Sequence, residues 1–197
     1  MSTDVETGRL NFLFLVTDQH RPDHTGFGGN PMVETPNLDR IAARGTCFTQ
    51  AYVANPICMP NRSTMMTGRV PSAHGTRYNG IPLDRSANTF VRVLRSAGYR
   101  TALIGKSHLQ NMGNQVELAL SQLRDDVRGE ALPMPYAQGW ADWEQLERHK
   151  LERVQIPPDF YGFDEVDLVI DHGDLASGHY YQWLLEQGID PVALQGP

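Results

Sequence analysis

Three short polar clusters carry most of the side chains able to do chemistry: Asp18-Gln19, Cys58 to Arg62, and Lys106 to His108. Together they offer a carboxylate, a thiol, two cations and an imidazole, a set suited to an anionic substrate. Cys58 stands at the start of an expected helix, where unpaired backbone N–H groups and the helix dipole favour negative charge. Each residue alone has a plainer reading. An Asp after a strand is usually a turn or cap residue, a Cys at a helix start usually packs, and Lys106 and His108 singly read as surface residues. Only convergence gives them weight, so the elements around them must supply it.

Residues 10–16 are almost continuously apolar, the pattern of a strand buried on both faces of a parallel sheet, and they end abruptly at Thr17-Asp18-Gln19-His20. Residues 35–45 read as a short helix, with Thr35 as cap, Pro36 in the first turn and Gly45 as a left-handed exit. A strand is expected over 47–53, a helix over about 60–67 closed by Gly68, and a longer helix over 86–97 with Phe90, Val91, Val93, Leu94 and Ala97 on one face. Residues 99–104 return to a strand that ends at Gly105-Lys106-Ser107-His108. This alternation is the α/β pattern, and its crossovers imply a mostly parallel sheet with helices on both faces. In such sheets ligands bind outside the carboxyl ends of the strands, which is where all three clusters lie. Further on, helices are expected over 115–128, 141–154 and 179–186 and a short strand over 166–170, with a loop at Leu132-Pro133-Met134-Pro135. Residue chemistry alone reaches no further than an anion-handling α/β hydrolase.

The bulk properties narrow the partners. A chain of 197 residues with 40% hydrophobic and 20% charged residues can bury one core. Its formal charge of −6 argues against nucleic acid, whose binding rests on clustered Lys and Arg. The apolar run at 10–16 is too short for a membrane span, and the polar, acidic first eight residues lack a signal-peptide pattern, so a cytoplasmic location is expected. The two cysteines, Cys47 and Cys58, make no disulfide framework. Cys47 reads as a small buried hydrophobe.

Cys58-Met59-Pro60-Asn61-Arg62 resembles the Cys-x-Pro-x-Arg signature of the sulfatases, and Asn61-Arg62-Ser63 with Met66-Thr67-Gly68-Arg69 continues in the same style. Gly45 to Tyr52, Glu34 to Arg40 and Gly98 to His108 resemble further blocks of that family in the expected order. The resemblance implies an alkaline-phosphatase-like α/β fold. It reads the chain as the N-terminal part of a sulfatase catalytic domain, with core motifs over 10–110 and a variable insertion region over about 111–197. Chains of this family are longer, so the resemblance also implies a truncated chain.

It further implies roles for single residues. Cys58 would be oxidised to formylglycine by a formylglycine-generating enzyme. The hydrated aldehyde then offers two hydroxyls, one to attack the sulfur and one to let the aldehyde re-form and expel sulfate. Arg62 would hold that diol, while Lys106 and His108 would bind the ester oxygens and stabilise developing charge. Asn79 would contact the substrate. Asp18 would ligate a divalent metal together with residue 58; calcium is expected, with magnesium and manganese as alternatives. Gln19 stands where many members have a second Asp and would still reach the substrate or metal through its amide. It also resembles the phosphonate monoester hydrolases, so sulfate and phosphonate or phosphate esters both remain open as substrates. A non-catalytic fragment that associates with a copy of itself, or with a complementing C-terminal half, is the rival from another class. Asp171-His172-Gly173 looks like the family's second metal motif but lies too early for it, so His172 and His179 are read as structural or substrate-loop residues. His74 is read as loop packing, and Trp140, Trp143 and Trp183 as core or interface.

Overall fold

A computed structural model describes residues 8–113 and 142–195, so the expected helix at 115–128, the loop at 132–135 and Trp140 lie outside the described residues. The chain divides into two compact units, Met1–Ala51 and Tyr52–Pro197.

In the first unit the one α-helix among the described residues is α1, Pro36–Arg44. Pro36 starts it because its fixed φ suits a helix and its missing N–H would find no intrahelical acceptor there. Thr35 occupies the cap position without capping. Its hydroxyl instead donates to Asp39 Oδ1 at 2.9 Å and accepts the Gly26 N–H at 2.8 Å, while Asp39 Oδ1 also takes the Phe27 N–H at 2.8 Å. Gly45 leaves the helix extended (φ −120°) rather than left-handed. Residues 10–16 form no strand. Their side chains are exposed on both faces, from 49% at Val16 to 82% at Leu13, and Thr25 is the one buried residue among the described residues of this unit. A strand buried on both faces needs a covering layer on each, and the described residues of this unit supply neither. The strand expected over 47–53 is likewise irregular, and Cys47 is exposed rather than buried.

The second unit holds α2 (Cys58–Thr67), α3 (Pro71–His74), α4 (Phe90–Ser96), β1 (Ala102–Gly105), α5 (Leu146–Leu151), β2 (Glu165–Ile170), β3 (Ser177–Gly178) and α6 (His179–Glu186). β1 pairs parallel with β2, Ala102 opposite Glu165 through Gly105 opposite Leu168. β3 adds an antiparallel edge on the other side of β2. α2 closes at Gly68, whose left-handed φ of 67° lets its N–H reach the Thr64 carbonyl. α4 is shorter than its apolar pattern suggests because Thr89 caps it. The Thr89 hydroxyl accepts the Arg92 N–H at 3.2 Å and donates to the Tyr161 carbonyl at 2.6 Å. Phe90 and Val93 stay 40% and 57% exposed, leaving Val91 as the helix's buried anchor.

Leu83, Val91, Leu109, Phe160, Tyr161 and Leu168 form the heart of the core. Each such side chain is worth roughly 1.5–3 kcal/mol when fully buried. Tyr161 is wholly buried, and its hydroxyl donates to the Leu83 carbonyl at 2.7 Å. Asp164 ties the start of β1 to the start of β2: its carboxylate accepts both the N–H and the hydroxyl of Thr101 at 3.0 Å and pairs with Arg95. The Thr101 groups hold its carboxyl below the ordinary aspartate range. Among the described residues no helix is long and apolar enough to cross a membrane.

Candidate active site

Cys58 is the first residue of α2 and half-buried. The chain enters extended at Ile57 (φ −86°, ψ 145°), so the first N–H groups of the helix face outward without intrahelical acceptors. One of them, that of Met59, donates to Asn79 Oδ1 at 3.0 Å. Asn79 therefore caps α2 from twenty residues downstream, and the amide orientation this requires turns its NH2 group away as a donor.

Arg62 lies one turn beyond Cys58, on the same helix face. Its Nη1 donates to the Lys106 carbonyl at 2.5 Å and to the Ser107 carbonyl at 3.5 Å. α2 and the loop after β1 are thereby joined by a charge-assisted bond. Lys106 Nζ meets His172 Nε2 at 2.5 Å, and His172 Nδ1 meets Asp171 Oδ1 at 3.1 Å. An ammonium can only donate, so His172 accepts at Nε2 and carries its proton on Nδ1, toward Asp171. Cys58 Sγ and a ring nitrogen of His172 lie within 4.8 Å of one another. His172, which the sequence reading assigned to structure or a substrate loop, thus stands beside both Cys58 and Lys106.

His108 is buried and adopts a left-handed φ of 50°, uncommon for a residue with a Cβ. Beneath it lies Glu144, wholly buried. Glu144 Oε2 accepts the His108 N–H at 2.7 Å, and Oε1 accepts the Leu109 and Gln110 N–H groups at 3.2 Å each. Burial pushes the Glu144 carboxyl up to about 7, against the opposing pull of those N–H donors. Glu144 went unnoticed in the sequence because it sits in Asp142-Trp143-Glu144-Gln145, where a polar residue in an expected helix reads as solvated.

Asp18 and Gln19 lie in the first unit, exposed, at the turn after the apolar run; Asp18 has a left-handed φ of 63° and its carbonyl accepts the His20 N–H at 2.8 Å. His74 uses both ring nitrogens locally, with Thr64 Oγ1 at 3.1 Å and the Thr76 N–H at 3.1 Å. His179 is buried, accepting the Leu168 N–H at 3.2 Å and donating to the Val154 carbonyl at 2.8 Å. Trp143 packs edge-on to Phe160 with centroids 6.0 Å apart, and Arg85 covers its face.

The second unit thus sets a half-buried cysteine at a helix N-terminus near the His172 imidazole, with the Lys106 ammonium on that imidazole and the Arg62 guanidinium bound to the loop that carries Lys106. It can bind an anionic group beside residue 58 and stabilise charge that builds there. The family model described as sulfatase matches residues 10–149. An N-acetylglucosamine-6-O-sulfatase of Bacteroides thetaiotaomicron is 38% identical over 104 residues, covering 53% of this chain and 19% of that protein. An ulvan-active sulfatase of Formosa agariphila is 31% identical over 142 residues, covering 72% of this chain and 25% of that one. The chain thus spans about a fifth to a quarter of the length of these curated relatives. Among solved structures, Ps i-CgsB in complex with k-i-k-neocarrahexaose aligns with 87% of this chain and 31% of its own, at a TM-score of 0.50 and 22% identity, a likeness of fold.

Proposed function

Because the chain belongs to the sulfatase family, we propose that it carries the nucleophile-bearing part of a hydrolase of small sulfate monoesters, with Cys58 as the precursor of formylglycine. The observation that carries this reading is the bond from Arg62 to the Lys106 carbonyl, which ties the helix bearing Cys58 to the loop bearing Lys106 and His108. Arg62 offsets negative charge on the modified side chain, and Lys106 and the Asn79 NH2 group donate to the ester oxygens. His172 holds the Lys106 ammonium in place by accepting at Nε2 while its Nδ1 proton turns to Asp171. The S–O bond to the organic group breaks as the bond from residue 58 to sulfur forms, and the alcohol leaves with a proton.

A hard divalent cation, calcium or else magnesium or manganese, would supply positive charge that makes the hydroxyl of residue 58 more acidic. The carboxylate of Asp18 and the amide oxygen of Gln19 are hard oxygen donors of the kind such an ion takes. Gln19, neutral where a second carboxylate would add charge, supports phosphonate or phosphate monoesters as the second reading. A formylglycine-generating enzyme is the partner this chemistry requires.

The test uses the full-length gene product made beside that enzyme. Peptide mass spectrometry should find residue 58 as an aldehyde, and turnover of an aryl sulfate should exceed that of an aryl phosphonate. Cys58 remaining a thiol, with Cys58→Ala as active as the parent, would sink the proposal.

A further inference from the structure

Glu144 has no place in the chemistry so far, yet among the described residues it is a wholly buried carboxyl group beside the loop that carries His108. It accepts three successive backbone N–H groups, from His108, Leu109 and Gln110, at 2.7, 3.2 and 3.2 Å. Convergent amides of this kind form a nest that suits an anion. The nest exists because His108 takes a left-handed φ of 50°, a conformation that costs energy for a residue with a Cβ and persists only where its surroundings impose it. Neighbouring bonds extend the grip. The Leu146 N–H reaches the Met112 carbonyl at 3.4 Å, and Gln145 Nε2 reaches the Asn111 carbonyl at 3.3 Å, so residues 144–146 line the stretch 108–112. From the other side the Leu83 N–H donates to the Leu109 carbonyl at 2.8 Å, and Asn111 Nδ2 donates to the Gly80 carbonyl at 3.2 Å, next to the Asn79 that caps α2.

A buried carboxyl group is a costly way to close a loop, since apolar packing could fill the same space. Such a group is placed to advantage where a neighbouring functional side chain must be aimed within a narrow range. Resting on the sulfatase reading above, we propose that Glu144 is a positioning residue: its carboxylate fixes the backbone of 108–110 so that His108 and Lys106 face the anionic ester at residue 58. It acts through the loop and touches no substrate.

The experiment uses the full-length gene product with residue 58 converted, comparing the parent with Glu144→Gln, Glu144→Asp and Val154→Ala. Val154 is buried and lies outside the site, so its truncation reports what a core defect alone does. The probe is inorganic sulfate, titrated while the His108 imidazole resonances are followed by NMR. Groups that orient a functional side chain without touching the ligand are worth about 10–100-fold. Glu144→Gln should accordingly weaken sulfate binding by about tenfold or more, displace the His108 resonances before sulfate is added, and lower kcat on an aryl sulfate by about 10–100-fold. Val154→Ala should lower the melting temperature and leave sulfate binding within about twofold of the parent. Should Glu144→Gln fail to fold, Glu144→Asp, which keeps the charge but shortens the reach, is held to the same criterion. Sulfate affinity and His108 shifts in the Glu144 variants that match those of Val154→Ala would overturn the proposal. A parent that binds sulfate but turns over no ester would instead overturn the sulfatase reading, leaving the sulfate arm to decide on Glu144.

Discussion

Replacing Glu144 with glutamine should remove a loss of stability that the parent protein suffers as pH rises from about 4.5 to about 7. The carboxyl group is wholly buried, and burial raises it from an ordinary 4.5 to about 7. A carboxyl raised in the folded state binds its proton more tightly there than in the unfolded chain. Its stabilising contribution is therefore complete below pH 4.5 and is lost as pH rises through about 7. Each tenfold change in proton affinity is 1.36 kcal/mol, so the contribution lost across that window is about 3 kcal/mol. His149 works the other way. Burial holds its imidazole below 6.5, so its contribution is complete above that pH and lost as pH falls below it. Both proteins share His149, and it cancels in their difference. The assay is urea unfolding of parent and Glu144→Gln at a series of pH values from about 4.5 to about 8, read as the difference in unfolding free energy. Glutamine cannot ionise, so the variant should gain on the parent by about 3 kcal/mol across the series, whatever fixed cost it carries from matching three N–H donors with one acceptor oxygen. Parallel curves, or a difference that shrinks as pH rises, would refute the reasoning.

Two further substitutions probe how α2 and α4 are held. Asn79→Ala removes the acceptor for the Met59 N–H and should destabilise the protein by about 1 kcal/mol, the usual value of a helix cap, seen as a lower melting temperature; an unchanged melting temperature would show that water replaces the cap. Gly162→Ala asks a residue with a Cβ to adopt φ 101° with that atom 2.6 Å from the Arg92 backbone nitrogen, which should cost on the order of 3 kcal/mol in denaturant unfolding.

What could be read directly was local. The four-residue spacing of Cys58 and Arg62 puts both on one face of a helix, and Gly68 marks its end because a left-handed residue there costs glycine least. The helix His179–Glu186 and the strand Glu165–Ile170 also follow from their own patterns of apolar residues. Residues 10–16 were misread because an apolar run states only a preference, while a strand exists by its partners and covering layers. Cys47 was misplaced for the same reason, since burial is conferred by neighbours rather than by residue type. The site shows the same division. Residue types and order carry Cys58, Arg62, Lys106 and His108, but the Lys106–His172 contact spans 66 residues and the His108–Glu144 bond spans 36. No periodicity links positions so far apart. The sequence alone determined which groups could meet an anion; only the folded chain decided that Arg62 would bridge to Lys106, that His172 would stand beside residue 58, and that a buried carboxylate would hold the loop carrying His108.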